Sequence, residues 1–448
     1  MTMWANRKCF RRGLVAATVA AVLGLTAAAC AGSDGDSGAV SGTGGDSSPV
    51  TIRFMSYNYG TPCCGAGTQQ LIDEFQKANP NIKIAPEAVA AADVLTKLRT
   101  ETAAGSPPDV AQLGWSKAGE ARSTLPLVPV QDIPSAAEWK AGTDGIYPNI
   151  LKAVSNPETG KNDIMPFSIS VPIIYYNADV FRAAGLDPDK PPTTLAEVKT
   201  AAAAITKSGK QGVYFAVADP GKSDYMTQSV MNSAGGGEVD ASGAVTVDSP
   251  RSVAGLNAIR DLVVGGLQPK VTATDAQAAF AGGNIGMMIF TTAAMATFEK
   301  SAAGKFDLRT AAFPSFDDAK ARPTYSGAGL AVFSKDKRKQ QAAWKFIQFL
   351  TSPQGFTILT KTIGYLPLRP AIVSDPAYLG DYFKQNKHLL PSLGQIDDVT
   401  PYTYFRGKRA NQAVVLLQDE AVTPIVLQGA DPAAVLGTAA DKIRSLAQ

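Results

Sequence analysis

The stretch Ile164–Val198 constrains the fold of this chain more than any other. It opens as a strand-like run, IMPFSISVPIIYYN, in which Pro166 and Pro172 each remove a ladder donor and argue against a deeply central strand throughout. After Tyr175-Tyr176-Asn177 comes a short amphipathic helix, Ala178–Ala184, stopped by Gly185. A proline-rich turn then delivers Thr193 or Thr194 as the cap of the next helix, with Glu197 in its first turn.

The rest of the chain repeats this alternation. With 448 residues it is too long for one core, and two lobes of roughly 150–200 residues are expected. Val50–Ser56 reads as a first strand, Thr68–Ala78 as an amphipathic helix with Leu71, Ile72 and Phe75 on one face, and Ile82–Pro86 as a second strand. A helix over Ala92–Ala104 and a buried strand from Asp109 complete the start of a parallel, doubly wound sheet. Beyond the anchor stretch, helices are expected at Thr194–Lys207, Ser223–Ser233, Arg251–Val264, Thr274–Ala281 and Lys339–Thr351. Gly286–Phe290 and Ser326–Ser334 read as strands, and Phe306–Phe313 as an extended return run.

The front end changes how charge is read. Arg7, Lys8, Arg11 and Arg12 precede an apolar stretch, Gly13–Ala29, in the pattern of a secretory signal over residues 1–29. The run Leu25-Thr-Ala-Ala-Ala-Cys30 resembles a lipoprotein processing site, with Cys30 lipidated, although Ala27 stands where a larger aliphatic is usual; Arg11-Arg12 leaves a twin-arginine route open. Four of the 42 basic residues lie before Cys30 and none of the 39 acidic ones do, so the chain from Cys30 on carries a formal charge of −1. The case for nucleic acid as a partner disappears with the signal. Residues 30–49 read as a flexible Gly/Ser/Asp tether.

Most catalytic chemistry is excluded by what is scarce. His388 is the single histidine, so a zinc site with several His ligands cannot form, and no Cys-x-x-Cys supplies thiolates. No cofactor or metal is expected. Gly235-Gly-Gly and Gly327-Ala-Gly329 lack the lysine or helix-opening context of phosphate loops. A small-molecule cleft asks instead for aromatic faces and planar polar groups at strand ends. Tyr57 and Asn58 end the first strand and fit that role; Tyr175 and Tyr176 read as packing, and Thr291 and Thr292 as weaker candidates. Gly327 and Gly329 suit either close approach of a ligand to the backbone or tight sheet packing. With Cys30 lipidated in an oxidising compartment, Cys63 and Cys64 have each other as partners, and adjacent cysteines close only an eight-membered ring.

The order of these elements, with Glu74-Phe-x-x-x-Asn-Pro-x-Ile-x-Ile84, Ala103-x-Gly-x-Pro-Pro-Asp-Val110, Pro166-Phe-x-x-Ser170-x-Pro-x-x-Tyr-Tyr-Asn177 and Gly364-Tyr-Leu-Pro-x-Arg369, resembles the family-1 extracellular solute-binding proteins of bacterial ABC importers. The resemblance covers about Thr51 to Leu446 and leans towards the glycerol-3-phosphate and glycerophosphodiester binders. It implies a two-lobed α/β clamshell, each lobe a mostly parallel sheet flanked by helices, with three inter-lobe crossings, the first at the anchor stretch. The lobes would be 50–165 plus 312–350 and 166–311 plus 351–448. It further implies ligand contacts at Trp115, Ser170, Tyr225 and Tyr365, a cleft-facing Cys63-Cys64 loop, and an anion-gripping arginine near Arg406, Lys408 and Arg409. The expected function is capture of a carbohydrate for ABC permease subunits, by a monomer tethered to the membrane through Cys30. A glycerol-3-phosphate or glycerophosphodiester ligand is the alternative within the family, and a secreted carbohydrate-active enzyme the alternative outside it.

Overall fold

The alternation in Val50–Ser56 makes it β1, and the helices that follow it return the chain to the same sheet edge to edge. A computed structural model describes residues 48–316 and 320–446; the signal segment, Cys30 and the tether up to Ser47 lie outside the described residues. After β1 (Val50–Ser56) come α1 (Gly65–Ala78), β2 (Ile82–Ala88), α2 (Val94–Ala103), β3 (Val110–Gly114) and α3 (Trp115–Thr124). β1 pairs in parallel with both β2 and β3. The apolar face of α1 buries Leu71, Ile72 and Phe75. Phe75 meets Phe346 at 4.9 Å, and Phe54 of β1 meets the same ring edge-on at 5.2 Å. Phe346 lies on the helix Lys337–Leu350, whose Ala343, Ile347 and Leu350 are also buried. Apolar periodicity thus becomes one packed layer on this sheet.

The anchor stretch divides between two sheets. β4 (Ile164–Ser170) and β5 (Pro172–Asn177) are separated by Val171 alone. The second sheet has the order β6-β7-β5-β8, from Gln211–Phe215 (β6), Ile285–Thr291 (β7) and Leu308–Ala312 (β8). The first has the order β2-β1-β3-β9-β4, with β9 at Ser326–Val332. Pro166 sits on the edge strand beside a register shift, and Pro172 opens β5; both are places where a missing N–H is tolerated. Thr292 pins the passage: its N–H donates to the Val171 carbonyl at 2.9 Å, and its hydroxyl accepts from the Val171 N–H at 3.3 Å. The result is a two-lobed clamshell whose sheets meet at the stretch that the prolines punctuate.

Local signals at this stretch hold. Thr194 accepts from Glu197 N at 3.2 Å while the Glu197 carboxylate accepts from Thr194 N at 3.1 Å, a reciprocal cap worth about 1 kcal/mol. Asn177 ends β5 because its side chain accepts from Asp179 N and Val180 N, opening the next helix. Among the described residues no helix is long and apolar enough to cross a membrane.

Several expectations need correcting. Both sheets are mixed rather than mostly parallel, since β9 runs antiparallel to β3 and β4, and β5 antiparallel to β7 and β8. Strands that enter a sheet directly from the other lobe need no helical crossover, so nothing forces them parallel. β4 hydrogen-bonds to β9, which puts residues 166–170 in the first sheet. β8, expected as the return crossing, stays in the second sheet, and the chain crosses back between Ala312 and Ser326. The helix Pro353–Thr362, expected to begin the third crossing, packs on α1 in the first lobe. Arg369 is still fixed there, donating to the Gly142 and Thr351 carbonyls. Beyond the turn at Gly364, which lies against Thr292 and Met295, the chain joins the second lobe where His388 meets Glu299 and Gln395 accepts from Phe313 N.

Candidate functional site

Polar side chains collect where β1, β3 and β4 face the second lobe. Ser56 donates to Gln112 Oε1 at 2.7 Å, and Gln112 Nε2 donates to Ser168 Oγ at 3.2 Å, so a buried hydroxyl–amide–hydroxyl rail crosses three strands. Ser56 Oγ also accepts from Asn58 N and Tyr59 N, which fixes the turn carrying Tyr57. The Tyr57 hydroxyl is the buried end of a half-buried side chain. Desolvation raises its pKa well above the ordinary tyrosine value, with Tyr365 adding to that and Ser168 opposing it. Burial likewise raises Tyr365, against hydrogen bonds from Tyr57, Asn58 and Ser168. Thr360 Oγ1 donates to the Tyr365 carbonyl, and Leu366 N donates to Ile169 O at 2.8 Å, stitching the Gly-Tyr-Leu-Pro turn to β4.

The opposing wall comes from the loop between β6 and the helix Tyr225–Ser233. Asp219 is pushed up to about 6 by desolvation, against a hydrogen bond from Gly221 N (2.6 Å) and the charge of Lys117. Burial lowers Lys117, while Asp219 and Asp224 act to raise it. These groups from α3 and from the second lobe therefore share one electrostatic neighbourhood. Asp224 accepts from the Tyr402 hydroxyl, and Gln228 Nε2 donates to Asp224 at 3.2 Å and to Glu238 at 3.3 Å. Desolvation and then Asp224 push Glu238 well above the carboxylate range, which favours its protonated form in the folded chain. Trp115 Nε1, Tyr225 OH and Glu238 Oε1 are buried without a hydrogen-bond partner among the described residues. Buried polar atoms are ordinarily paired, so the unpaired Tyr225 hydroxyl, near enough to Asp219 to feel its charge, is open to a further partner.

Beside this seam lies a cavity of about 1050 Å³, walled by Gly119 and Arg122 of α3, by Val239–Ala241 and by Tyr402–Gly407. Arg122 is locked to Asp163 (2.9 Å) and lies over the Tyr404 ring. Arg406 is exposed on the cavity wall.

The residues singled out from the sequence distribute unevenly. Tyr57, Asn58, Tyr225 and Tyr365 join the seam. Trp115 is core, edge-on to Tyr325 at 5.8 Å, with only its unpaired indole N–H to offer. Ser170 is a buried ladder residue opposite Ser326, and it is Ser168, two positions earlier, that faces Gln112, Tyr57 and Tyr365. Gly327 and Gly329 are filled by the protein itself: a Cβ at Gly327 (φ +100°) would strike the Ser168 carbonyl, and one at Gly329 would strike Ile164, Met165 and Trp115. Arg409 turns away to the Ser445 carbonyl. Cys63 and Cys64 are bonded to each other at the start of α1; Cys63 is exposed, and its contact beyond that bond runs to Thr61 of the same loop. His388 is half-buried against Glu299 rather than solvated. Lys117, Asp219, Asp224 and Ser168 were missed. Lys117 carried a signal, because a lysine in the first turn of a helix opposes the helix dipole. Asp219 carried another, in Asp-Pro-Gly straight after a strand end.

The family of bacterial extracellular solute-binding proteins has a sequence model that matches residues 64–355. The chain belongs to this family. Among relatives of this solute-binding protein is the sn-glycerol-3-phosphate-binding periplasmic protein UgpB of Escherichia coli K12, 24% identical over 396 residues that cover 84% of this chain and 88% of the relative. Its fold is that of UgpB from Mycobacterium tuberculosis, solved in complex with glycerophosphocholine (TM-score 0.74, 24% identity, 88% of this chain and 98% of that one). It is equally that of the cyclic α-maltosyl-1,6-maltose binding protein from Arthrobacter globiformis (TM-score 0.72, 23% identity, 89% and 99%). Relatives of both ligand kinds share this clamshell, so the fold leaves the choice of ligand to the site.

Proposed function

We propose that the protein is the extracytoplasmic binding subunit of an ABC importer, which closes its two lobes on a carbohydrate and presents it to the permease subunits without chemical change. The observation that carries this reading is the seam itself: Tyr57, Asn58 and Tyr365 on one side, Asp219 and Tyr225 on the other, with the buried Tyr225 hydroxyl left unpaired. A solute that touches both walls stabilises only the shut state, which is how binding becomes a conformational signal. The acidic side chains favour a neutral polyol. Arg406 on the wall of the neighbouring cavity supports the second reading, a glycerol-3-phosphate or glycerophosphodiester ligand. Lipidation of Cys30 would hold a monomer at the outer face of the cell membrane.

Thermal unfolding in the presence of glucose, maltose, glucosamine, ribitol, glycerol-3-phosphate and glycerophosphocholine tests the reading, since a ligand at 100 times its Kd adds about 2.7 kcal/mol. A rise with a sugar and recovery of that sugar unaltered are expected; product release would favour an enzyme instead. Mass spectrometry of the mature protein should find a diacylglyceryl group on Cys30, and an unmodified terminus elsewhere would remove the anchor.

A further inference from the structure

The helix Ala410–Leu417 begins without a cap of its own. Arg409 stands at its N-cap position and makes no side-chain hydrogen bond to the first turn, which holds no acidic residue; its guanidinium donates instead to the Ser445 carbonyl. The first backbone N–H groups of a helix need an acceptor, ordinarily a short side chain just ahead of them. Here the acceptor arrives from the other lobe. Glu120 of α3 accepts from Asn411 N at 2.6 Å, and its second oxygen pairs with Arg99 of α2. The carboxylate is buried, at 3% exposure, and its charge suits the positive end of the helix. α3 packs on β3 and β9 of the first lobe, whereas the capped helix belongs to the second: it packs on Pro432–Leu446, which packs in turn on Pro250–Val264 beside the helix Tyr225–Ser233. α3 also sits close against the chain just ahead of the capped helix. A Cβ at Gly119 would come within 3.0 Å of the Tyr404 side chain, and Arg122 lies over the Tyr404 ring.

We propose that Glu120 is a closure residue: it caps a second-lobe helix only while the clamshell is shut, so the shut state draws part of its stability from a contact that no solute touches. This rests on the solute-capture reading and concerns the closing step of that same cleft. Glu120 and Asn411 sit on different lobes, so parting the lobes strips the helix of its acceptor and leaves the carboxylate to Arg99 and water. The contact shifts the balance between open and shut forms before any solute binds, and the apparent affinity of every solute follows the shut fraction. A residue that touches solute alters the ranking of solutes; one that acts through closure alters all affinities by one factor. Gly119 has a place in the same device, since a side chain there would hold α3 off Tyr404.

The test is calorimetric titration of the full chain with glucose, maltose, ribitol, glycerol-3-phosphate and glycerophosphocholine, together with small-angle X-ray scattering without solute. Glu120→Ala should weaken every probe that binds the wild type by one common factor of about three- to thirtyfold, and should give the free chain a larger radius of gyration. Gly119→Ala should act in the same direction and stands in if Glu120→Ala fails to fold. The double variant Glu120→Ala/Arg409→Asp supplies a cap from within the second lobe: its melting temperature should return to the wild-type value while the weakened affinity persists. Recovery of both in the double variant, or unchanged affinity in the single ones, overturns the closure role and leaves solute capture standing. A loss confined to some of the probes overturns it in the same way. Silence of the wild type towards every probe overturns solute capture, and scattering then decides alone: matching curves for the wild type and Glu120→Ala overturn the closure role as well.

Discussion

The two walls of the cleft are built on opposite principles. On the first-lobe side, Ser56, Gln112 and Ser168 satisfy one another in a neutral rail, and Tyr57 and Tyr365 stand on it with their hydroxyls in a common network. On the second-lobe side, three carboxyl groups are all pushed up by burial, and the loop carries a left-handed lysine. Hydrogen bonding rigidifies the first wall before any ligand arrives. The second keeps its carboxyl groups in surroundings that disfavour their charged forms, a cost that the fold itself carries.

Truncating the aromatic member of each wall breaks the comparison most severely. Tyr365→Ala and Tyr225→Ala should each weaken binding of a cleft solute by on the order of 1–3 kcal/mol. They should differ in the free protein. Tyr365 leaves the Tyr57 and Ser168 hydroxyls short of a partner, so its variant should also melt lower, whereas the Tyr225 hydroxyl has no partner to abandon. Titration calorimetry with the best-binding sugar and an unliganded melt measure the two halves. Equal affinity to wild type in both variants would remove them from the site.

Legibility from sequence follows the same division. The clamshell was readable because its signals are local: Leu71, Ile72 and Phe75 at helical spacing, a Thr-x-x-Glu cap at Thr194, prolines at the one place where a strand changes sheets. Aromatic residues at strand ends pointed to the seam, because strand C-termini are where such sheets bind ligands. The pairings that set its chemistry were not readable. Lys117 and Asp219 are about a hundred residues apart and acquire meaning only when two lobes face each other. Ser168 and Ser170 share one face of β4, so alternation could not choose between them; what decides is which of the two lies within reach of Gln112 on β3, a long-range fact. For Gly327 and Gly329 the sequence left two readings open, and tight sheet packing is the one that the neighbouring β4 backbone fills.

The serine pair sharpens the first wall. Ser168→Ala removes the acceptor that Gln112 Nε2 uses and should cost about 1–2 kcal/mol of stability, with a loss of affinity through Tyr57. Ser170→Ala, on a side chain with no hydrogen bond of its own among the described residues, should stay within about 0.5 kcal/mol. Urea unfolding midpoints rank them, and the reverse order would return the contact to Ser170.

The acid pair sharpens the second wall by a smaller amount. Asp224 and Glu238 are each 1% exposed, and Glu238 keeps a proton in the folded chain that the unfolded chain releases above the ordinary glutamate range. The native state then binds more protons than the unfolded one, so this group's contribution to stability is complete below about pH 4 and is lost as pH rises through the raised folded value. Glu238→Gln has no proton to lose: its carbonyl can still accept from Gln228, and its NH2 can donate to Asp224 in place of the acid proton. The variant should match or trail the wild type at pH 4 and exceed it at pH 8 by about 1 kcal/mol, roughly 2–4 °C in Tm. A constant difference between the two across that range would mean that Glu238 ionises normally, and the contrast between a neutral wall and a charged one would lose its protonated member.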